Sequence, residues 1–351
     1  MRTPRLLGAA VALAVSVALL AGCSSADTGS PPGAGTVGLL IPGTAGDGGF
    51  FDQASAGTRE GAQAAGWTPK VVEAGYEPTK WQPALDDLSG SNADPVITGT
   101  FAMTELVEQA AAQFPDKKFV VFDAQVDAAR CGCTNVYSIT YRYDETGFLA
   151  GALAGLLTRH AGVDKVKRTG VVGVVGGQDI PVIQDYVRGF EQGVKSVAPE
   201  VKVLSAFAGS FSDPVQGKAV AQDMISQGAE VLFAAAGQTD RGVFEAAAGN
   251  DIWALGNSTA QARSPQVGGK DTVLTSADTN VAKSIKDAVV ASGKGQLPVG
   301  TVAAYGVKDG SVSLVRTPLY ERVVPADVRE KMTQVTADLA AGKYESALVR
   351  R

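Results

Sequence analysis

The chain is 351 residues long and 45% apolar, with 31 Lys and Arg against 36 Asp and Glu for a formal net charge of -5. No long basic run offsets the excess of acid, which excludes a nucleic-acid partner, because such binding rests on clustered cations that neutralise phosphates. The length is more than one typical core takes up and suits two lobes.

The first 22 residues open with Arg2 and Arg5, run uncharged and apolar through 6–20 and finish on small residues, the layout of an export signal. Cys23 closes Leu19-Leu20-Ala21-Gly22-Cys23 and reads as a lipidated cysteine. Acyl chains there would hold the protein on the extracytoplasmic face of the cell membrane, each buried methylene adding about 0.8 kcal/mol. Residues 23–35 are rich in Ser, Gly and Pro, have no packing capacity and read as a flexible tether. A tether directly after the apolar stretch argues against a membrane-spanning helix.

From residue 36 short apolar runs alternate with longer helical patterns. Strands are predicted at 36–41, 70–73, 95–98, 119–122 and 136–139, with helices at 53–65 and 103–114 among them. The pattern restarts after a small-residue helix at 145–160. Strands follow at 169–175, 201–205, 231–234 and 252–255, with helices at 180–197, 214–227 and 242–248. Continuous Val, Ile and Phe runs spaced by helices mark parallel strands covered on both faces. The prediction is an α/β fold of two similar lobes facing a cleft. The first lobe would span 36–145 with a return segment at about 257–290, and the second 146–256 with 291–351. Ligands in such folds sit beyond the carboxyl ends of the strands, so the residues after each strand are the candidates.

After the first strand comes Pro42-Gly43-Thr44-Ala45-Gly46-Asp47-Gly48-Gly49-Phe50-Phe51-Asp52. The spacing and lysine of a phosphate loop are absent. The pair Phe50 and Phe51 flanked by Asp47 and Asp52 can hold a planar heterocycle by stacking and by accepting its N–H or O–H donors. Equally, a phenylalanine can plug the space between lobes while Asp52 caps the helix. Later strand ends bring Thr100-Phe101, Asp123, Gly176-Gly177-Gln178-Asp179, Ala236-Gly237-Gln238 and Asn257-Ser258-Thr259 to the same end. In Arg130-Cys131-Gly132-Cys133 the thiols suit a local disulfide or free loop cysteines, since two thiolates without a nearby histidine supply half a zinc site. The one histidine, His160, falls at a helix end, where a cation complements the dipole. No nucleophile elbow and no histidine–carboxylate cluster is present, so neither an enzyme nor a cofactor or metal is expected.

The chain resembles the basic membrane protein family, the nucleoside-binding lipoproteins of bacterial ABC importers. The resemblance runs from about Val37 to the end. It is carried in order by Asp47-Gly48-Gly49-Phe50-Phe51-Asp52, Phe119-Val120-Val121-Phe122-Asp123, Phe148-Leu149-Ala150-Gly151 and Ile180-Pro181-Val182-Ile183-Gln184. Gly209-Ser210-Phe211-Ser212-Asp213-Pro214 and Tyr305-Gly306-Val307-Lys308-Asp309-Gly310 complete it. The resemblance implies a type I periplasmic-binding fold closing over one small ligand, delivered to an ABC permease and ATPase. It implies Phe50 and Phe233 as the stacking pair, with Asp47 and Asp123 at the ligand's polar edge. Phe51, Asp52, Phe101 and Gly237 join them as candidate ligand contacts. Three positions depart from the family pattern: Phe51 stands for an Asn, Asn257 for an Asp and Thr279 for a Lys. The Asp and the Lys hold ribose hydroxyls in the family, so their loss removes two charge-assisted bonds and leaves Ser258 and Thr279 to bond a sugar weakly. A receptor for another small polar solute, such as a sugar or vitamin-like ring, and a ligand-sensing surface lipoprotein are the alternatives.

Overall fold

A computed structural model of the chain describes residues 35–46 and 49–348. The export segment, Cys23, nearly all of the tether and Asp47 lie outside the described residues. The first series of elements is β1 (Thr36–Ile41), α1 (Phe50–Ala65), β2 (Thr68–Glu73), α2 (Trp81–Ser89), β3 (Val96–Gly99), α3 (Thr104–Gln113), β4 (Phe119–Phe122), α4 (Ala128–Cys131) and β5 (Val136–Tyr141). β1, β3 and β4 are buried on both faces apart from Thr36, which explains their unbroken apolar runs. α1 starts at Phe50, earlier than expected, because Gln53 N–H already bonds the carbonyl of Gly49.

The second series repeats the first. It comprises α5 (Tyr143–Arg159), β6 (Val171–Gly176), α6 (Pro181–Val197), β7 (Lys202–Phe207), α7 (Pro214–Ser226), β8 (Val231–Ala235), α8 (Asp240–Asn250), β9 (Trp253–Gly256) and α9 (Thr259–Arg263). A small hairpin of β10 (Gln266–Val267) and β11 (Lys270–Asp271) leads to β12 (Val273–Thr279). The remainder is α10 (Val281–Gly293), β13 (Val302–Tyr305), β14 (Val312–Leu314), α11 (Pro318–Val323), α12 (Ala326–Ala340) and α13 (Glu345–Leu348).

Two six-stranded sheets result, ordered β13-β5-β4-β3-β1-β2 and β14-β12-β9-β8-β6-β7. Every neighbouring pair is parallel except β12 with β14. In each sheet the first strand of the series lies between the second and the third, so the chain reverses direction there and leaves a crevice at the carboxyl ends.

The expected return segment of 257–290 is displaced. β12 pairs with β9 and β14, so it belongs to the second sheet, and the chain crosses back only at Asn280. α10 then packs on α1, β13 pairs with β5, and residues 306–311 cross again to β14. The expected placement of 291–351 wholly in the second lobe fails for the same reason, since β13 extends the first sheet. β12 escaped the strand reading because Thr275, Ser276, Asp278 and Thr279 make it polar, although all seven residues are buried. With the β5–α5 junction at Arg142, three crossovers join the lobes.

α5 and α6 pack backbone to backbone. A Cβ on Gly147 would run into the Tyr186 carbonyl and one on Gly151 into that of Phe190, while Gly189 and Gly193 face the carbonyls of Asp144 and Phe148. Replacing Gly189 with Ala should lower unfolding free energy by about 1–3 kcal/mol through forced separation of the helices. Gly249→Ala, at an exposed position of α8 with open space around it, should leave it unchanged or raise it by about 0.5–1 kcal/mol. Urea unfolding of the two variants checks the contrast, and equal midpoints would refute it.

Candidate functional site

A cavity of about 360 Å³ lies between the carboxyl ends of the two sheets and is lined from both lobes. On the first-lobe side, Phe50 and Phe51 open α1, with ring centroids 5.3 Å apart and edge to face. Phe50 also leans on Phe122 at 5.4 Å. Tyr76 and Trp81 enter after β2, Phe101 after β3 and Asp123 after β4. On the second-lobe side, Gln178 and Ile180 follow β6, Phe211 follows β7, Gly237 and Gln238 follow β8, and Asn257 follows β9. Thr279 ends β12 at the hinge.

Of the residues expected from sequence, Phe50, Phe51, Phe101, Asp123, Gly237 and Thr279 line the cavity. Three do not. Phe233 sits in the middle of β8 with no exposed surface and stacks on Phe190, 5.8 Å away and nearly parallel. Its place as second-lobe aromatic is taken by Phe211, whose ring packs over the bare backbone of Gly177, where a Cβ would collide with it. Phe211 stands just beyond a strand end and Phe233 within a strand, a distinction that the strand-end rule contains. Ser258 is 1% exposed and caps α9 by accepting the Gln261 N–H, so it faces its own helix. Asp52 accepts the Gly46 N–H at 2.8 Å and thereby fastens the glycine loop onto the first turn of α1. Asp47 and Cys23 fall outside the described residues.

Asp123 occupies the left-handed region at φ 58°, which a short polar side chain tolerates. Burial pushes its carboxyl up to about 7, against the lowering effect of the Tyr143 hydroxyl bonded to it. Tyr143 stacks on Tyr186 at 4.6 Å, so a residue of α5 and one of α6 together form the cavity floor. Thr279 shares a 2.7 Å hydroxyl bond with Thr146 of α5.

The second-lobe wall is organised by Asp240, which is 1% exposed. It accepts the Ala236 N–H at 2.7 Å, Asn257 Nδ2 at 3.0 Å and Gln261 Nε2 at 2.9 Å. Asn257 Nδ2 also donates to the Ala234 carbonyl at 3.0 Å. Both N–H bonds of that amide are thus used, and its oxygen is left as an acceptor beside the cavity. Among the described residues, hydrogen bonds from Gln53 Nε2 to Asp278 Oδ1 at 3.1 Å and from the Arg241 guanidinium to the Gly46 carbonyl at 3.3 Å join the lobes on this side, in addition to that of Tyr143 with Asp123.

Among the described lining residues Asp123 is the one carboxylate, and there is no Lys, Arg or His. An anionic ligand would bury its charge without a partner, whereas an uncharged flat ring with N–H or O–H donors meets aromatic faces and acceptors. Among the described residues no group of three His, Cys, Asp or Glu could hold a metal ion. Cys131 and Cys133 are joined as a disulfide away from the cavity, and His160 pairs with Asp327 at 3.4 Å.

Comparison with known proteins places this geometry. Residues 34–343 match the Bmp family, described as ABC transporter substrate-binding protein PnrA-like. The chain is 29% identical to the ABC transporter nucleoside-binding protein BmpA of Lactococcus lactis subsp. cremoris, over 95% of this chain and 96% of that one. It is 26% identical to Basic membrane protein A of Borreliella burgdorferi over 80% and 79% of the two chains. In structure it resembles an ABC transporter solute-binding protein from Aeropyrum pernix, with a TM-score of 0.75, 23% identity and coverage of 88% and 92%. A glucose-galactose binding protein from Geobacillus stearothermophilus, at TM-score 0.58 and 15% identity with coverage of 83% and 99%, shares the two-lobed architecture of type I periplasmic-binding proteins. The chain belongs to the Bmp family of PnrA-like ABC transporter substrate-binding proteins, which are solute receptors and not enzymes.

Proposed function

We propose that this protein is a lipid-anchored extracytoplasmic receptor that captures a nucleoside, nucleobase or related heterocycle between its lobes for an ABC permease and ATPase. The observation that carries the proposal is the pairing of Phe50 and Phe211 on opposite walls of a cavity whose described lining has one carboxylate and no cation. A flat ring would stack on these walls while Asp123 accepts a ring or exocyclic N–H. Asn257 would accept a second donor. The nucleoside-binding relative from Lactococcus lactis and the tether behind Cys23 agree with this.

Calorimetric titration of the mature chain with a panel of nucleosides and free bases tests the proposal, and silence from folded protein across the panel would sink it. Phe211→Ala should weaken binding of the tightest panel member roughly 10- to 100-fold, the equivalent of one stacked face. Phe233→Ala should instead cost about 3–5 kcal/mol of folding stability by opening a core cavity. If Phe233→Ala weakens binding while stability holds, the assignment of the aromatic pair is reversed.

Asp123 predicts a pH dependence of definite sign. An unfolded aspartate titrates near 4, while the folded group keeps its proton to about pH 7. Its contribution to stability is therefore complete below about pH 4 and is lost as pH rises through about 7. Asp123→Asn should raise the melting temperature of unliganded protein more at pH 8 than at pH 5. A ligand N–H favours the ionised carboxylate, so native affinity should strengthen from pH 6 to pH 8 while that of the Asn variant stays flat. Parallel pH profiles for the two proteins would contradict the assignment.

Cys23→Ala should move the protein from the membrane fraction to the soluble one, read by fractionation and immunoblot. Retention in the membrane fraction would contradict the lipid anchor.

A further inference from the structure

The cavity has two unlike ends. Inside, Tyr143 and Tyr186 are 6% and 8% exposed and supply the floor beside Asp123. At the mouth, Tyr76 and Phe101 are 51% and 58% exposed although the lobes touch, and both still line the cavity. They are the two aromatic residues among the described large apolar side chains that stand exposed, and both line the one cavity.

The mouth is built and held. Thr100, which directs Phe101 outward, has φ 80°, a strained conformation for a β-branched residue, and its N–H is tied to the Phe122 carbonyl at 2.9 Å. Trp81 lines the same cavity, its indole N–H fixed on the Gly75 carbonyl at 2.8 Å. Gly75 N–H in turn bonds the Gly43 carbonyl at 2.9 Å. At Gly43 the missing side chain lets the rings of Phe51 and Tyr76 close over the backbone. The result is a preformed aromatic platform continuous with the inner site. Its described lining has no cation to meet a phosphate or carboxylate. A volume of about 360 Å³ falls in the range that encloses drug-sized ligands and exceeds the need of a bare ring.

We propose that Tyr76, Trp81 and Phe101 form a second subsite for an uncharged aromatic or apolar substituent, so that the solute is a two-part molecule with a polar flat head and an apolar tail. The proposal rests on the heterocycle reading above and narrows its ligand class to bases or nucleosides that bear an aryl or alkylthio group.

The test titrates the mature chain with adenosine, guanosine and cytidine, and with each of them carrying a phenylthio group on the terminal sugar carbon or a benzyl group on the exocyclic amine. At least one substituted compound should bind about 10-fold more tightly than its parent. That ratio should fall to about one in the double variant Tyr76→Ser, Phe101→Ser, whose changes lie at exposed positions. Phe101→Ser alone serves if melting curves show that the double variant is unfolded. If a parent binds and no substituent tightens it, or if the ratio survives in the variants, the mouth subsite is refuted and the heterocycle reading stands. If neither parents nor derivatives bind, the heterocycle reading falls and takes the subsite with it.

Discussion

The contact on which the rest of this molecule depends is the backbone-to-backbone crossing of α5 and α6. Gly147 and Gly151 on one helix and Gly189 and Gly193 on the other remove the side chains that would separate them. At that distance Tyr143, at the first turn of α5, stacks on Tyr186. Tyr143 in turn bonds Asp123 from the other lobe. Packing inside the second lobe thus sets the position of a hydroxyl that acts on a carboxylate of the first. Larger residues at these glycines would change the cavity floor before they changed any ligand contact.

The same helix governs the hinge. Arg142, at the first crossover, bonds Asp144 at 3.0 Å and pairs with Glu145 at 3.3 Å and with Glu345 of α13 at 3.2 Å. Glu145 accepts the Val307 N–H of the third crossover at 2.6 Å. The second crossover, at Asn280, follows Thr279, which is bonded to Thr146 of α5. All three passages are therefore fastened to the amino-terminal turns of one helix. On the cleft side the described hydrogen bonds between lobes are those of Gln53 with Asp278, Arg241 with the Gly46 carbonyl and Tyr143 with Asp123, each worth about 1–3 kcal/mol. Such weak bonding leaves room for a solute. A ring touching both Phe50 and Phe211 would add differential affinity for the closed arrangement of comparable or larger size.

How much of this was legible depends on the kind of residue that carries it. β1, β4, β6 and β8 announce themselves because strands covered on both faces must be apolar throughout. β12 does not, because three of its four polar side chains find partners in the fold while the Ser276 hydroxyl has none among the described residues: Thr275 donates to the Val315 carbonyl, Asp278 accepts from Thr259 and Gln53, and Thr279 bonds Thr146. Hydropathy has no access to such pairing, so the lobe boundaries shifted with it. Short polar side chains were ambiguous for another reason. Asp52 and Ser258 sit at helix starts, where the same oxygen can meet a ligand or a backbone N–H, and both serve the backbone. Asp123 was readable because it directly follows a strand in a reversing sheet, and Phe50 because it ends the glycine loop that leaves the first strand of that sheet. Phe211 obeys the same rule and was passed over in favour of Phe233, a residue whose position inside β8 already implied burial.

Asn257 shows how the identity of a lining residue can be enforced from behind the cavity wall. Its side-chain nitrogen lies 3.0 Å from a carboxylate oxygen of Asp240, a buried acid that also draws on Gln261 and the Ala236 N–H. An aspartate at 257 would set two carboxylates face to face in a poorly solvated place, and one would have to hold a proton. An amide avoids this by donating to Asp240 and keeping its oxygen as a neutral acceptor. With Thr279 likewise engaged by Thr146, neither position offers a charge to sugar hydroxyls. Recognition in the proposed receptor then rests on ring faces, on Asp123, and on whatever group reaches the aromatic mouth.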